Sequence, residues 1–299
     1  MVKKNRSSLC IAIAVVALAG LAVLLPSQAL AQKTFPSAEA AADALVDAVA
    51  RNDSKELRTV LGENWKRFIP TEGVDQDDVD AFLAAWKTSH SMEPDADNRV
   101  HLAVGPDKWT LPIPIVKKGD AWSFDVKAGA EEIRTRRIGR NELSAMQAAL
   151  AYYDAQKDYA LSDRNRDGVL EYAQKLVSSP GTHDGLYWPT KPGEAESPLG
   201  PVFGNDRPGS DYHGYYFKII KGQGKHAPGG AYDYRIKGRM TSGFALVAWP
   251  VKYGDSGVMT FVVSHAGQVY EKNLGPNTDA AAHAMTLFNP DSSWRKVSP

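Results

Sequence analysis

Cysteine is almost absent from this chain of 299 residues, since Cys10 is the single one. It lies in an N-terminal apolar run that has the features of an export signal, so the mature chain would contain no thiol and no disulfide. This excludes a cysteine nucleophile, a zinc–cysteine site and a disulfide-stabilised scaffold. Stability must then come from an ordinary hydrophobic core, which a chain of this length can bury.

An excess of charge of either sign is also lacking, because 35 Lys and Arg residues balance 35 Asp and Glu residues. The basic residues are scattered along the chain, apart from the group Arg134, Arg136, Arg137 and Arg140. We interpret this group as the solvent-exposed face of a connecting helix. A nucleic-acid-binding surface is therefore not expected.

The N-terminus has the three parts of a secretory signal. Basic residues at 3, 4 and 6 precede an uncharged run at 9–25, and the small-x-small pattern Ala29-Leu30-Ala31 follows. We predict a signal peptide at 1–31, cleavage after Ala31, and a periplasmic or secreted protein without a membrane attachment after cleavage. A retained membrane anchor is the alternative, and a run of ~17 residues is at the short limit for a span.

Helical patterns dominate the start of the predicted mature chain. Ser37 is suited to cap a first helix, which Asn52-Asp53 would end, and a second helix would follow from Ser54. A third helix is predicted from apolar residues at i, i+3, i+4 and i+7, which are Val79, Phe82, Leu83 and Trp86.

The apolar period then changes from 3.6 to 2, which predicts a small antiparallel sheet. A polar loop is expected at 93–99, with strands around 100–104 and 122–126. The strand at 109–117 contains prolines and is expected at a sheet edge, because proline cannot donate a ladder hydrogen bond. We therefore predict an N-terminal α+β domain at 32–138.

Residues 139–299 are predicted to form a C-terminal domain in which a long helix packs on an antiparallel meander. The long helix is expected to begin at Asn141, and a short helix is expected at 170–177. Strands are predicted within "YHGYYFKII", "GFALVAWPV", "VMTFVVS" and "QVYEK". The continuous apolar run "FALVAW" is typical of a central strand covered on both faces. The predicted fold class is thus α+β.

Seven stretches carry a family resemblance: "WTLPIPIVKKGDAWSFD", "EEIRTRRIGRNEL", "AYYDAQKDYA", "DGVLEYAQKLVSSPGTHDGLYWP", "SPLGPVFG", "GYYFKIIKGQGKHAPGGAYDY" and "GFALVAWPVKYGDSGVMTFVVSHAGQVYEKNLG". Together they resemble the exported bacterial proteins of domain-of-unknown-function family 2950 (DUF2950). The resemblance implies export and a shared fold, but no activity. A helix bearing "AYYDAQKDYA", an acidic glycine turn and a terminal meander are also similar to the globular heads of pilins and pseudopilins. That second resemblance implies a pilin-head-like C-terminal domain.

The segment "DRNRDGVLEYAQ" (163–174) has most of the pattern of a calcium-binding loop. Asp163, Asn165 and Asp167 stand at positions one, three and five, with glycine at six. Position twelve is glutamine instead of a bidentate carboxylate, so Glu171 would have to substitute and calcium would bind weakly. In the alternative interpretation, these short polar side chains cap a helical turn and form a tight turn.

His183, Asp184 and His213 are the candidate catalytic residues. Histidine and a carboxylate near loop aromatics could form a general acid–base pair or a metal site. The alternative is that these side chains satisfy loop backbone groups and pack on the sheet. The glycine-rich segment 222–230 lacks the spacing of a phosphate-binding loop and is predicted to be a hairpin loop.

Two functions from different classes follow from these patterns. The first is a non-enzymatic periplasmic binding or structural protein, whose loops recognise a protein, a small molecule or a glycan. The second is a hydrolase-type enzyme that uses His183, Asp184 and His213. Convergence of the two histidines in one pocket would favour the enzyme, and their separation would favour binding. Calcium is the one cofactor that the sequence suggests.

Overall fold

The computed structural model describes residues 32–69, 74–164, 166–191, 193–194, 196–200 and 212–298. The predicted signal peptide and its cleavage point therefore lie outside the described residues. Within the described chain, no helix combines the length and the apolar character that crossing a bilayer requires.

The predicted α+β fold class is confirmed, and helices precede strands in the N-terminal part. In chain order the elements are α1 (Ala38–Ala50), α2 (Ser54–Leu61), a 3-10 turn (Trp65–Arg67), α3 (Gln76–Thr88), β1 (His90–Ala96), β2 (Arg99–Val104), β3 (Trp109–Thr110), β4 (Ile115–Lys118) and β5 (Ala121–Phe124). The strands form an antiparallel sheet in the order β1-β2-β4-β5, and β3 also pairs with β2.

Side-chain caps explain where the first two helices begin. The Ser37 hydroxyl accepts a hydrogen bond from Ala40 N at 3.1 Å. The Asp53 carboxylate accepts hydrogen bonds from Lys55 N and Glu56 N, both at 3.0 Å. Such caps satisfy backbone donors that have no partner within the helix. Both predicted helix starts are confirmed.

Two predictions for the N-terminal sheet are wrong. The segment 93–99 is not a loop, because its first residues belong to β1, which pairs with β2 through a turn at Asn98 (φ 60°). An edge strand tolerates polar side chains because one of its sides faces solvent. The segment 109–117 is not one edge strand, because its prolines lie between β3 and β4, and β4 lies inside the sheet between β2 and β5.

The longest helix of the described chain, α4 (Val126–Tyr159), begins at Val126 and not at the predicted Asn141. The Asp125 carboxylate caps it by accepting hydrogen bonds from two backbone N–H groups of the first turn, both at 3.1 Å. Few side chains in its first half are buried, so the apolar periodicity there is weak in the sequence. The predicted boundary between 138 and 139 therefore falls inside a continuous helix.

The C-terminal part contains a five-stranded antiparallel sheet. In chain order its elements are β6 (Tyr215–Ile220), β7 (Gly222–Gln223), β8 (Tyr232–Asp233), β9 (Arg235–Ile236), β10 (Arg239–Met240), β11 (Ala245–Pro250), β12 (Thr260–Ser264), β13 (Val269–Lys272), α5 (Thr278–Ala284) and β14 (Arg295–Val297). The sheet order is β14-β13-β12-β11-β6, while β7–β8 and β9–β10 form short separate ladders. The four predicted strands are confirmed as β6, β11, β12 and β13.

Strand β11 is the buried centre of this sheet. All six of its residues are buried, as a strand covered on both faces requires. Helix α4 packs on β11, β12 and β13, and α5 packs on β11. The buried Tyr152 hydroxyl donates a hydrogen bond to Ala245 O at 3.1 Å, which fixes α4 on the sheet. The predicted packing of the long helix on the meander is confirmed.

The predicted short helix at 170–177 is wrong, because this segment is irregular and contains no helical turn. Gln156 of α4 is fully buried, and its Nε2 donates to Ala173 O while its Oε1 accepts from Ala173 N, both at 2.8 Å. Tyr172 N donates to Met240 O at 2.7 Å. These tertiary partners take the backbone groups that a helix would pair internally.

Helix α4 joins two hydrophobic cores. The N-terminal core includes Leu102 and Ile115, and the C-terminal core includes Tyr152 and Phe261. Between them, the guanidinium of Arg137 pairs with Asp255 in the turn that follows β11. The arginine group that was expected to be a solvent-exposed face thus also ties the helix to the C-terminal sheet.

Candidate functional site

His183 lies on the loop next to the C-terminal end of α4. Its ring stacks on Trp188 with the centroids 4.2 Å apart, and its carbonyl accepts a hydrogen bond from Tyr159 OH at 2.7 Å. Trp188 is buried, whereas His183 is exposed. The imidazole therefore covers a buried indole at the protein surface.

Asp184 is engaged by its own loop. Its carboxylate accepts hydrogen bonds from Lys175 Nζ at 2.6 Å, Ser179 N at 2.7 Å and Thr182 Oγ1 at 2.9 Å. Partial burial opposes ionisation, but these hydrogen bonds prevail and hold the pKa of Asp184 well below its ordinary value. A carboxylate in this state is a poor proton acceptor, so its arrangement suits loop closure better than general-base catalysis.

His213 lies in a different part of the molecule. It adopts a left-handed backbone conformation (φ 48°) in the turn before β6. The adjacent Gly214 packs against Asn141, because a Cβ at Gly214 would lie 3.0 Å from Asn141 Nδ2. His183 contacts Tyr159, and the segment of α4 from Asn141 to Tyr159 rises about 27 Å. The structure therefore does not bring His183 and His213 into one pocket.

The acidic segment after α4 has the geometry of a tight turn. The Asp163 carboxylate accepts hydrogen bonds from Asp167 N at 3.1 Å and Gly168 N at 2.8 Å. The Asp167 carboxylate accepts one from Val169 N at 3.1 Å and lies 2.8 Å from the Arg239 guanidinium. Backbone N–H groups and an arginine thus occupy the oxygens that a calcium ion would need.

Of the other two candidate metal ligands, the structure describes only Glu171. Asn165 lies outside the described residues. Glu171 lies near Tyr159, whose pKa is raised to about 12, first by burial and then by the negative charge of Glu171. Among the residues that the structure describes, no group of three or more His, Cys, Asp or Glu side chains is arranged to hold a metal ion.

An open cleft of about 400 Å³ lies beside β7 and β8. It is called the β7–β8 cleft below, and its lining includes Lys221, Gly222, Tyr232, Asp233, Arg235 and Leu287. Gly222 pairs with Asp233 on one side of β7, and Phe288 N donates to Gly222 O at 3.0 Å on the other. The backbone of β7 is therefore fixed from both sides, and its residues form the floor of the cleft.

The floor of the cleft has no side chain at Gly222. A Cβ at this position would lie 3.2 Å from Leu287 Cδ2 and 3.3 Å from Tyr232 O, which is tighter than ordinary contact. Tyr232 and Leu287 are 37% and 46% exposed, so both present apolar surface beside this floor. Glycine thus allows the Leu287 side chain and the Tyr232 backbone to approach the floor closely, and a larger residue at 222 would crowd them.

Tyr232 is held in position by a polar network that is buried at Tyr234 and Gln223 and exposed at Tyr232. Its hydroxyl lies 3.2 Å from His265 Nε2, and its ring packs edge-on against Tyr234 with centroids 5.5 Å apart. The Tyr234 hydroxyl donates to Gln223 Oε1 at 3.0 Å. Burial lowers the pKa of His265, although the nearby Phe244 carbonyl opposes the shift. The network therefore keeps a neutral imidazole behind the tyrosine that lines the cleft.

A family model described as "Protein of unknown function (DUF2950)" matches residues 32–297. The chain belongs to the DUF2950 family. No curated protein matches it, and no solved structure does. The resemblance of the C-terminal part to pilin heads is therefore not confirmed.

The β7–β8 cleft of this DUF2950 protein carries a positive charge. Arg235 donates from Nε and Nη2 to the Asp233 carboxylate at 3.1 and 3.0 Å, so these two charges compensate each other. Hydrogen bonds from Arg235 hold the pKa of Asp233 below its ordinary value, and Asp233 stays ionised. Lys221 has no hydrogen bond or ion pair from its ammonium group within the described part of the chain. The charged residues of the lining, Lys221, Asp233 and Arg235, therefore have a net charge of one positive unit.

Sequence patterns indicate the hairpin of β7 and β8 but not the cleft, because part of its lining comes from residues around 287, which are far from the hairpin in the chain. The one local signal is "YDYR" (232–235), in which aromatic and charged residues alternate in a glycine-rich loop. Tyr234 lies between the short strands β8 and β9, so the alternation expected of a single strand does not apply here. This signal therefore does not identify which side chains line the cleft.

Proposed function

We propose that this DUF2950 protein is an exported, non-enzymatic protein that binds a small molecule in the β7–β8 cleft. The observation that carries the proposal is the cleft itself, whose volume of about 400 Å³ is within the usual range for ligand sites. Its lining combines apolar walls with a few charged and amide side chains, which is the composition that such sites have.

The placement of the candidate catalytic residues supports binding over hydrolysis. His183 O accepts a hydrogen bond from Tyr159, whereas Gly214, next to His213, packs against Asn141 about 27 Å away along α4. Asp184 is hydrogen-bonded within its own loop. A hydrolytic site needs a nucleophile or activated water with an oriented base at hydrogen-bond distance. Export rests on the secretory pattern of residues 1–31, which is consistent with a binding role outside the cytoplasm.

The test is a ligand screen on the mature chain (32–299) that compares the wild type with two leucine variants. Leu287→Trp would fill the cleft, and Leu161→Trp places the same bulk at a surface position that is 76% exposed and distant in the chain. Compounds that raise the melting temperature of the wild type and of Leu161→Trp, but not of Leu287→Trp, would support the proposal. Turnover of an ester, peptide or phosphate substrate that His183→Ala abolishes would instead favour the enzyme.

A further inference from the structure

We infer that the ligand of the β7–β8 cleft is a small monoanion, a carboxylate attached to an aromatic or similarly flat apolar group. This inference deepens the proposed function and rests on it. It depends on two features of the cleft, which are its uncompensated positive charge and its paired apolar walls.

The positive charge of the cleft favours a ligand with a negative charge. Arg235 and Asp233 form a bidentate pair at 3.0 and 3.1 Å, so neither needs an external partner. Lys221 also lines the cleft, and its ammonium has no partner within the described residues. An ammonium group beside a neutral ion pair attracts one negative charge and repels a cation. A carboxylate supplies that charge, and charge-assisted hydrogen bonds from lysine are stronger than those between neutral groups.

The apolar walls set the shape of the rest of the ligand. Tyr232 and Leu287 line the cleft together with Gly222, and a Cβ at Gly222 would lie 3.2 Å from Leu287 Cδ2 and 3.3 Å from the backbone oxygen of Tyr232. The Tyr232 hydroxyl is already engaged by His265 at 3.2 Å. What this tyrosine offers a ligand is therefore mainly its ring, and aromatic rings pack well against other rings and flat apolar groups.

The electrostatic requirement can be tested without changing the protein. Phenylacetate, phenylacetamide and phenethylamine are close in size, but they are anionic, neutral and cationic at pH 7.5. Each would be titrated into the ¹⁵N-labelled mature chain while the amide signals of Gly222, Gln223 and Tyr232 are followed. We expect phenylacetate to shift these signals at the lowest concentration and phenethylamine to shift them least.

A matched pair of lysine variants tests the role of Lys221. Lys221→Gln removes the charge from the cleft, whereas Lys225→Gln removes one from an exposed position outside the lining. We expect the Kd for phenylacetate to rise about twofold to fivefold in Lys221→Gln, which is what one partly exposed charge pair contributes. The Kd of Lys225→Gln should stay at the wild-type value, and circular dichroism would confirm that both variants are folded.

The possible results of these titrations distinguish a wrong assignment of the ligand's charge from a wrong assignment of the cleft as a ligand site. If phenylacetamide or phenethylamine binds in the cleft as tightly as phenylacetate, the charge assignment is overturned while a ligand site remains. An unchanged Kd in folded Lys221→Gln would also overturn it. If no probe shifts the cleft amides at millimolar concentration, both the inference and the assignment of the cleft as a ligand site are contradicted.

Discussion

Replacing Gln156 with leucine is expected to destabilise the protein by about 2–5 kcal/mol. The Gln156 side chain is fully buried and makes three hydrogen bonds, with Ala173 N and Ala173 O at 2.8 Å and with Tyr152 OH at 3.0 Å. Leucine has a similar volume, so the packing would be largely kept. Ala173 is 1% exposed, so its N–H and C=O would be left without partners and without water.

The magnitude follows from those two orphaned groups. Each buried backbone group without a partner costs about 1–3 kcal/mol, and the greater apolar character of leucine offsets part of the sum. The Tyr152 hydroxyl would keep its hydrogen bond to Ala245 O. Gln156→Glu should be at least as destabilising, because it removes both donated hydrogen bonds and places a carboxylate in a fully buried site.

Guanidinium unfolding followed by circular dichroism measures the effect through the transition midpoint and its slope. Gln147→Leu is the matched control, since Gln147 is an exposed residue of the same helix. Its effect should stay within about 0.5 kcal/mol, as for most surface substitutions. A change in Gln156→Leu no larger than that of the control would refute the account of how 170–177 is held outside a helix.

Two further predictions concern titration and metal binding. The melting temperature should be the same in millimolar calcium as in chelator. Asp163→Ala should destabilise the protein by about 1 kcal/mol in both conditions, because the hydrogen bonds that Asp163 accepts from Asp167 N and Gly168 N are lost. A rise in melting temperature that depends on calcium and that Asp163→Ala removes would contradict the tight-turn interpretation. Burial lowers the pKa of His265, so the unfolded chain takes up a proton before the folded one does as pH falls below about 6.5. As the pH falls from 7.5, this group should therefore lower the free energy of unfolding by at most about 1.4 kcal/mol per pH unit. If His265→Gln and the wild type show the same pH dependence, His265 does not contribute.

Local signals in the sequence predicted much of the fold. Ser37 and Asp53 cap α1 and α2 where short polar side chains were expected to do so. The apolar run "FALVAW" corresponds to the buried strand β11. In these elements the residues that determine the structure are neighbours in the chain, so their spacing carries the information.

The predictions that failed depend on contacts between distant residues. Residues 170–177 have a helical pattern, but Gln156 and Met240 take their backbone groups. The first half of α4 buries little, so nothing in its apolar spacing indicates a helix before Asn141. The β7–β8 cleft is assembled from three separated segments. Such contacts are set by the tertiary fold, and no local propensity reports them.

The continuity of α4 has a mechanical consequence. A helix of 34 residues is a rod about 51 Å long whose internal hydrogen bonds resist bending. One end is attached to the N-terminal sheet, because Arg136 donates hydrogen bonds to Thr110 of β3, and the other end packs on β11 and β12. A displacement of β3 would therefore be transmitted along this rod to the C-terminal sheet as tilt or torsion instead of being absorbed by a linker.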